Sequence, residues 1–216
     1  MIRKEYVIVT VLTALILTFG FYATDQYMAL QLSKGTDFWK PSHPWDARIP
    51  FRPGWIWIYL SYFPICFLPI TFKEIWKDIG LFRRTALGFI IQFAAALTIF
   101  WIAPSQMERP DFQPNGLSEQ ALDWFYKIDA GFNVFPSLHV ANVAYIACLA
   151  RHFRKKVLSM GVFIMCVLIS MSTLFVKQHY LFDLPAGFLI GCLGYAIAFP
   201  KIPPGSTMDP AICRAL

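Results

Sequence analysis

The sequence VLSMGVFIMCVLISMSTLFV occupies residues 157–176 and contains no charged side chain. Because a helix rises about 1.5 Å per residue, about 20 residues cross the roughly 30 Å of hydrocarbon in a bilayer. The stretch therefore predicts a transmembrane helix. It is followed at once by KQHYLFD, which places His179 and Asp183 just beyond the end of that helix.

The composition of the whole chain also indicates a membrane protein. Hydrophobic residues make up 57% and charged residues 15% of the 216 residues, against about 45–50% and about 25% in soluble domains. This content excludes a disordered chain and a soluble nucleic-acid-binding protein, despite the formal net charge of +6. The five cysteines show neither a disulfide framework nor metal-ligand spacing, so we expect them to pack as small apolar residues.

Five other stretches are candidates for membrane spans. Three of them contain no charged residue, and the other two contain ionisable groups, which are costly inside a bilayer and therefore indicate function. The six predicted spans are residues 6–23, 54–72, 85–103, 136–153, 157–176 and 180–200. The sequence thus predicts an all-α integral membrane protein, with residues 1–216 forming a single domain that is a bundle of six transmembrane helices. The apolar part of the first span is too long for a signal peptide, so we expect a retained anchor.

The distribution of Lys and Arg predicts the orientation of this bundle. Twelve of these residues fall on one side of the six spans and seven on the other, with dense clusters at 83–84 and 151–156. Because cytoplasmic loops carry the excess of positive charge, both termini should be cytoplasmic. The loops at 24–53, 104–135 and 177–179 then lie on the periplasmic, extracellular or lumenal face.

The second of these loops contains a further predicted helix, at residues 117–128. Ser118 is a candidate N-terminal cap for it. The apolar side chains that recur at helical spacing are Leu117, Ala121, Leu122, Phe125 and Ile128. We expect a short amphipathic helix that lies in the membrane interface and covers the site.

A Pro-Ser-Leu-His motif at residues 136–139 opens the fourth predicted span. Proline is favoured in the first helical turn, so a helix should begin here with its free N–H groups and positive dipole end available to a phosphate. The Ser137 hydroxyl would add a donor, and His139 would project into the same space. The simpler alternative is an interfacial histidine bonded to a backbone carbonyl.

His179 and Asp183 are four residues apart, so on a helix they would share one face. The carboxylate would fix the tautomer of the imidazole and leave its other nitrogen as a basic lone pair. A purely structural Asp–His pair would have the same spacing. Arg109, followed by proline in the long outer loop, could grip a phosphate through two parallel hydrogen bonds.

Two other functions could use the same residues. His139, His179 and Asp183 match a metal-ligand set of two histidines and one carboxylate. Alternatively, buried His and Asp residues could form a proton relay in a six-span transporter or in a structural membrane protein. A relay predicts polar residues throughout the depth of the spans, whereas these residues cluster at one interface.

The Arg109-Pro110 dipeptide, the motif at 136–139 and the His179 to Asp183 spacing together resemble the lipid phosphate phosphatase superfamily, also called type 2 phosphatidic acid phosphatases. The order of the three motifs and their common side of the membrane fit that family. Segments at 46–51, 129–141 and 177–180 look similar to the branch that includes inositol phosphorylceramide and sphingomyelin synthases. The sequence departs from the family pattern at Ile102 and Thr173, where the family usually has Lys and Arg.

The resemblance implies transfer of a phosphoryl or phosphodiester group at a lipid head group through a phosphohistidine, without a metal or a cofactor. His179 would attack phosphorus, Asp183 would orient it, and His139 would protonate the leaving oxygen and later deprotonate the acceptor. The phosphate oxygens would be neutralised by Arg109, by Ser137 and by Lys177, which could replace one of the missing cations.

The sequence therefore predicts a metal-independent lipid phosphatase. Its substrate would be a phosphate monoester or pyrophosphate of a lipid that enters from the bilayer, and no nucleic acid is expected as a partner. The alternative is a phosphotransferase that passes the head group to an alcohol or to a second lipid. Phosphatidic acid, phosphatidylglycerol phosphate, a polyprenyl pyrophosphate and a sphingolipid partner all remain open.

Overall fold

The computed structural model describes residues 4–200, and its regular structure there consists of helices and two isolated β-bridges. The α-helices in this part of the chain are α1 (Lys4–Ser33), α2 (Ile56–Leu60), α3 (Tyr62–Cys66), α4 (Lys73–Lys77), α5 (Ile79–Ile102), α6 (Leu117–Ile128), α7 (Leu138–His152), α8 (Lys156–Phe175) and α9 (Asp183–Ala198). The predicted all-α fold is confirmed for these residues. Cys213 and three of the cations used to predict orientation, Arg3, Lys201 and Arg214, lie outside them.

Helix α7 lies at the centre of the structure, and nine of its fifteen residues are buried. Most of these nine are alanine or valine, whose small side chains allow α5, α8 and α9 to pack closely around it. Burial on several sides fixes the axis of α7. It therefore also fixes the position of His139, the second residue of the helix.

Two glycines allow α9 to approach α7 closely. A Cβ atom at Gly187 would collide with the carbonyl oxygen of Ser137, and one at Gly191 would collide with that of Ala141. Their spacing of four residues puts both glycines on one face of α9, as in other small-residue interfaces between membrane helices. The close packing brings the beginnings of the two helices together, so that the Ser137 N–H donates to the Asp183 carbonyl at 3.1 Å.

Three of the described helices, α1, α5 and α8, are long and apolar enough to cross a membrane. Only three residues of α1 are buried, and many of its large apolar side chains face outward, as expected for a helix in contact with lipid. The apolar helices indicate a membrane protein. The finer prediction of six spans is not confirmed, because α7 and α9 have fifteen and sixteen residues, fewer than the roughly 20 that a span needs.

The segment at 54–72 is not one continuous helix, and that prediction is wrong. It consists of the 3-10 turn Pro53–Trp55, α2, α3 and the 3-10 turn Leu68–Thr71. Pro64 and Pro69 cannot donate backbone hydrogen bonds. Hydrogen bonds between residues three apart, as in a 3-10 helix, replace part of the α-helical pattern. As a result, α2 contacts α6 while α3 contacts α7.

The helix predicted at 117–128 is present as α6, although its predicted cap is wrong. The N-cap residue is Gly116, so Ser118 lies within the first turn. The Ser118 hydroxyl instead accepts a hydrogen bond from the Trp57 indole at 3.0 Å. This bond ties α6 to α2, while the position of α6 in a membrane interface stays a prediction.

Candidate active site

The chain reverses direction between α8 and α9, and the turn carries His179. Lys177 adopts a left-handed conformation with φ of 47°, and the His179 N–H donates to the Thr173 carbonyl at 3.3 Å. His179 therefore precedes α9, whose first residue is Asp183, and the two do not share a helix. The turn, rather than a helical face, brings their side chains together.

His179 contacts Asp183 through one edge of its ring. Its Nδ1 lies 3.2 Å from Asp183 Oδ2 and 2.8 Å from the carbonyl oxygen of Val134. Since both neighbours are acceptors, Nδ1 carries the hydrogen and Nε2 of the neutral ring keeps a lone pair. The Tyr180 N–H donates to Asp183 Oδ2 at 2.8 Å, which holds the carboxylate in place.

His139 faces the lone pair of His179. Nδ1 of His139 lies 3.1 Å from Nε2 of His179, and Nε2 of His139 lies 2.7 Å from the hydroxyl oxygen of Tyr59. When both rings are neutral, Nδ1 of His139 must carry the hydrogen, and its Nε2 must accept from Tyr59. A directed series of hydrogen bonds thus runs from Tyr59 through both histidines to Asp183.

Arg109 forms a separate hydrogen-bond network next to the histidines. Its guanidinium donates to the side chain of Asp129 at 2.8 Å, to the backbone carbonyl of Asp129, to the Tyr126 carbonyl at 3.2 Å and to Gln178 Oε1 at 3.1 Å. It also stacks over the Tyr126 ring, 4.1 Å from the centroid. Gly131, with φ of 74°, turns the chain beneath the guanidinium and donates its N–H to Asp129.

Two buried donors in this network have no acceptor within residues 4–200, namely Nε of Arg109 and Nε2 of Gln178. Buried donors are nearly always paired in folded proteins. Gln178 is bonded to Arg109 and is adjacent in sequence to His179. Two unpaired donors on neighbouring side chains indicate a place for an acceptor such as a phosphate oxygen.

Ser137 caps the N-terminus of α7. It is fully buried, and its Oγ accepts a hydrogen bond from the Val140 N–H at 3.4 Å as the N-cap of the helix. Pro136 precedes this cap, so the predicted start of the helix at Pro136 is two residues too early. The hydroxyl, expected as a donor to phosphate, serves here as an acceptor for the helix.

Comparison with known families identifies the segment that contains these motifs. Residues 101–204 match the family model described as the PAP2 superfamily. This segment belongs to the PAP2 superfamily. The family predicted from the motifs is therefore confirmed, whereas the synthase branch stays a prediction. Members of the PAP2 superfamily are phosphatases or phosphotransferases. Neither a curated protein nor a solved structure matches the chain significantly.

A cleft of about 640 Å³ opens beside the PAP2 motifs. We call it the polar cleft because several charged side chains line it, among them Arg109 and Lys177. The Lys177 ammonium donates to the carbonyl of Ile49 at 2.7 Å and to that of Asp46 at 3.4 Å. Burial lowers the pKa of Lys177, and the Asp46 carboxylate partly opposes this shift. The structure thus places Lys177 in the same cleft as Arg109, with its present partners being neutral carbonyl oxygens.

A second cavity, of about 490 Å³, reaches His139 from the side of α1, α3 and α5. Most of its lining is apolar, and its polar lining includes His139, Asn142 and Asp129. Since Arg109 lines the polar cleft and Asp129 lines the apolar cavity, their ion pair stands between the two spaces.

Sequence reasoning gave no role to Tyr59 or to its neighbour Tyr62. The Tyr62 ring packs on His139 with 4.5 Å between centroids, and the Tyr62 hydroxyl accepts from Asn142 at 2.6 Å. Aromatic residues are common in apolar segments, so nothing in the pattern distinguished these two. The one usable signal was that a buried tyrosine hydroxyl requires a hydrogen-bond partner.

The three residues considered as metal ligands do not converge on one point. Asp183 contacts Nδ1 of His179, whereas His139 contacts Nε2 on the other side of the ring. Among residues 4–200, no group of three or more His, Cys, Asp or Glu side chains is arranged to hold a metal ion.

Proposed function

We propose that this protein is a membrane phosphatase that removes phosphate from a lipid monoester or pyrophosphate through a phosphohistidine on His179, without a metal or cofactor. The observation that carries the proposal is the hydrogen-bonded series of Asp183, His179 and His139. In this series Nε2 of His179 keeps a lone pair, and the neighbouring nitrogen of His139 exchanges protons. These are the two groups that an attack on phosphorus requires.

In the first step, Nε2 of His179 bonds to phosphorus while the bond from phosphorus to the leaving oxygen breaks. The leaving oxygen takes a proton from Nδ1 of protonated His139, and Asp183 stabilises the positive charge that develops on the His179 ring. Because the two histidine nitrogens are 3.1 Å apart in the free protein, substrate must replace their mutual hydrogen bond when it binds.

In the second step, Nδ1 of His139 accepts a proton from water. The water oxygen bonds to phosphorus as the phosphorus–nitrogen bond breaks, which releases phosphate and restores neutral His179. The protonated His139 is then ready for the next turnover.

The oxygens of the phosphoryl group are bound by donors around the nucleophile. Arg109 and Gln178 provide the two buried donors that lack acceptors, and Lys177 contributes a second positive charge from the polar cleft. The positive end of the α7 helix dipole, at Ser137, adds a further favourable interaction with the phosphoryl oxygens. Positioning and charge neutralisation of this kind account for most of the catalysis of phosphoryl transfer.

The two cavities support a lipid substrate. The apolar cavity at His139 suits a hydrocarbon chain next to the leaving oxygen, while the polar cleft gives water access to Arg109 and Lys177. We place this end of the bundle on the periplasmic, extracellular or lumenal face, with cytoplasmic termini.

The same apolar cavity favours a second candidate function. If it holds the chain of an alcohol instead of the leaving lipid, His139 would activate that alcohol, and the protein would be a lipid phosphotransferase. In that case phosphohistidine would form as before, and the acceptor alone would differ.

Incubation of the purified protein in detergent with a panel of phosphorylated lipids tests both functions. We expect phosphate release from a monoester or pyrophosphate without any added alcohol and in the presence of a chelator. Turnover that begins only when an alcohol or second lipid is supplied would identify the transferase, and loss of activity on chelation would exclude the metal-free mechanism.

A further inference from the structure

Within residues 4–200, Tyr59 is the one side chain in hydrogen-bond contact with Nε2 of His139. It is fully buried, and its ring is held edge-to-face against Phe125 of α6, with 5.0 Å between centroids. It lies on α2, outside the segment that matches the PAP2 superfamily. The contact of 2.7 Å therefore joins the family motifs to a residue outside the matched segment.

The proposed reaction needs His139 to exchange its proton through Nδ1, the nitrogen that faces His179. That requirement leaves Nε2 with a lone pair in the neutral series and with a hydrogen when His139 is protonated. A hydroxyl group can meet both states, because it donates to the lone pair and, after rotation, accepts from the N–H. A carboxylate or an amide N–H at this position could meet only one of them.

We infer that Tyr59 is the positioning residue for His139, holding the ring so that Nδ1 faces the reacting phosphoryl group in both protonation states. This inference rests on the proposed function. Without the hydroxyl, Nε2 would lose this hydrogen-bond partner, and only the contact with Nε2 of His179, which substrate replaces, would orient the ring.

Tyr59→Phe tests the inference because it removes only the hydroxyl. Tyr145→Phe is the matched control, since Tyr145 is also fully buried, and its hydroxyl donates to the Thr85 carbonyl away from the histidines. For a lipid with an alkoxide leaving group, we expect Tyr59→Phe to lower kcat by about 10- to 100-fold, a part of what general acid–base catalysis provides. KM should change little, and Tyr145→Phe should keep full kcat.

A substrate whose leaving group needs no proton distinguishes a loss of His139 positioning from general damage to the fold. A lipid-like nitrophenyl ester releases its phenolate without a proton, so the first-turnover burst of Tyr59→Phe should match the wild-type burst. The later, steady release should slow, because activation of water still requires His139. Equal loss of the burst and of the steady rate would overturn the inference.

A second readout does not depend on activity. Nitrogen NMR of the ¹⁵N-histidine-labelled protein, with the His139 signals assigned through His139→Gln, reports the protonation and the hydrogen bonding of each ring nitrogen. With both histidines neutral, the lone pair of His179 keeps His139 in the Nδ1–H form in all three proteins. We expect the Nε2 signal of His139 to shift only in Tyr59→Phe, where no hydroxyl donates to that nitrogen. An unchanged Nε2 signal in Tyr59→Phe would overturn the inference, whereas a shifted signal without any phosphatase activity would support it and count against the proposed function.

Discussion

Gln178 places a buried amide donor next to His179, the proposed nucleophile, and this donor has no acceptor within the described residues. If it binds a phosphate oxygen, Gln178→Met should lower kcat/KM by about 10- to 100-fold, the loss expected for one donor to a developing negative charge. Gln92→Met is the matched control, because Gln92 is also fully buried with an unpartnered amide but lies on α5. Steady-state kinetics measure kcat/KM of both variants. Equal kcat/KM values would show that Gln178 does not bind phosphate.

Lys177 should contribute a charge that depends on pH. Lys177→Ala should lower kcat/KM by about 10- to 1000-fold at neutral pH, while Lys127→Ala, which changes an exposed lysine on α6, should not. Because burial lowers the pKa of Lys177 from its ordinary 10.5, the ammonium loses its proton at a lower pH than an exposed lysine. Wild-type KM should therefore rise on the alkaline side, and Lys177→Ala should lack that rise. Full activity of Lys177→Ala would show that the ammonium serves only its carbonyl partners.

The sequence led to the two histidines that the structure brings together, but not to the residues that surround them. Motif spacing led to His139, His179 and Asp183 because the chemistry demands those residue types. Tyr59 could not be found in that way, since its role depends on a bend in 54–72 that brings it to His139 across 80 residues. Contacts between distant segments leave no periodicity in the sequence.

Among the helices, the packing of α9 on α7 positions Asp183. Gly187→Ala should destabilise the protein by about 1–3 kcal/mol, as overpacking usually does, because the new methyl group meets the Ser137 carbonyl. Gly161→Ala, on α8 with open space at its Cβ, should be neutral or slightly stabilising because alanine favours helix by up to about 1 kcal/mol. Thermal unfolding in detergent measures both. A Gly187→Ala protein as stable as Gly161→Ala would mean that the two helices are not in this contact.

Helices were predictable where hydropathy alone determines them. The stretch at 157–176 became α8 with both ends shifted by one residue, and 85–103, except for its last residue, became part of the longer α5. The segment at 54–72 also contains no charged residue, but Pro64 and Pro69 cannot donate backbone hydrogen bonds within it. Composition predicts that a segment is apolar, whereas backbone donors decide whether it can be one helix.

For the whole molecule, the excess of Lys and Arg predicts that the active site faces away from the cytoplasm. In a cysteine-free background, Asn115→Cys in the long loop should react with an impermeant thiol reagent added outside intact cells, because Asn115 is exposed. Lys156→Cys, exposed at the start of α8, should react only after the membrane is opened. Labelling of position 156 alone in intact cells would reverse the orientation.

The central claim is that His179 carries the phosphoryl group, and trapping of the phosphoenzyme tests it most directly. His139→Ala should be mixed with a lipid-like nitrophenyl ester bearing radiolabelled phosphate and quenched after one turnover. Because the variant lacks the base that activates water, an acid-labile phosphoenzyme should accumulate, and peptide sequencing should find the label on His179. His179→Ala should trap none. Label on His139 in the wild type, or a burst of nitrophenol from His179→Ala, would contradict the mechanism.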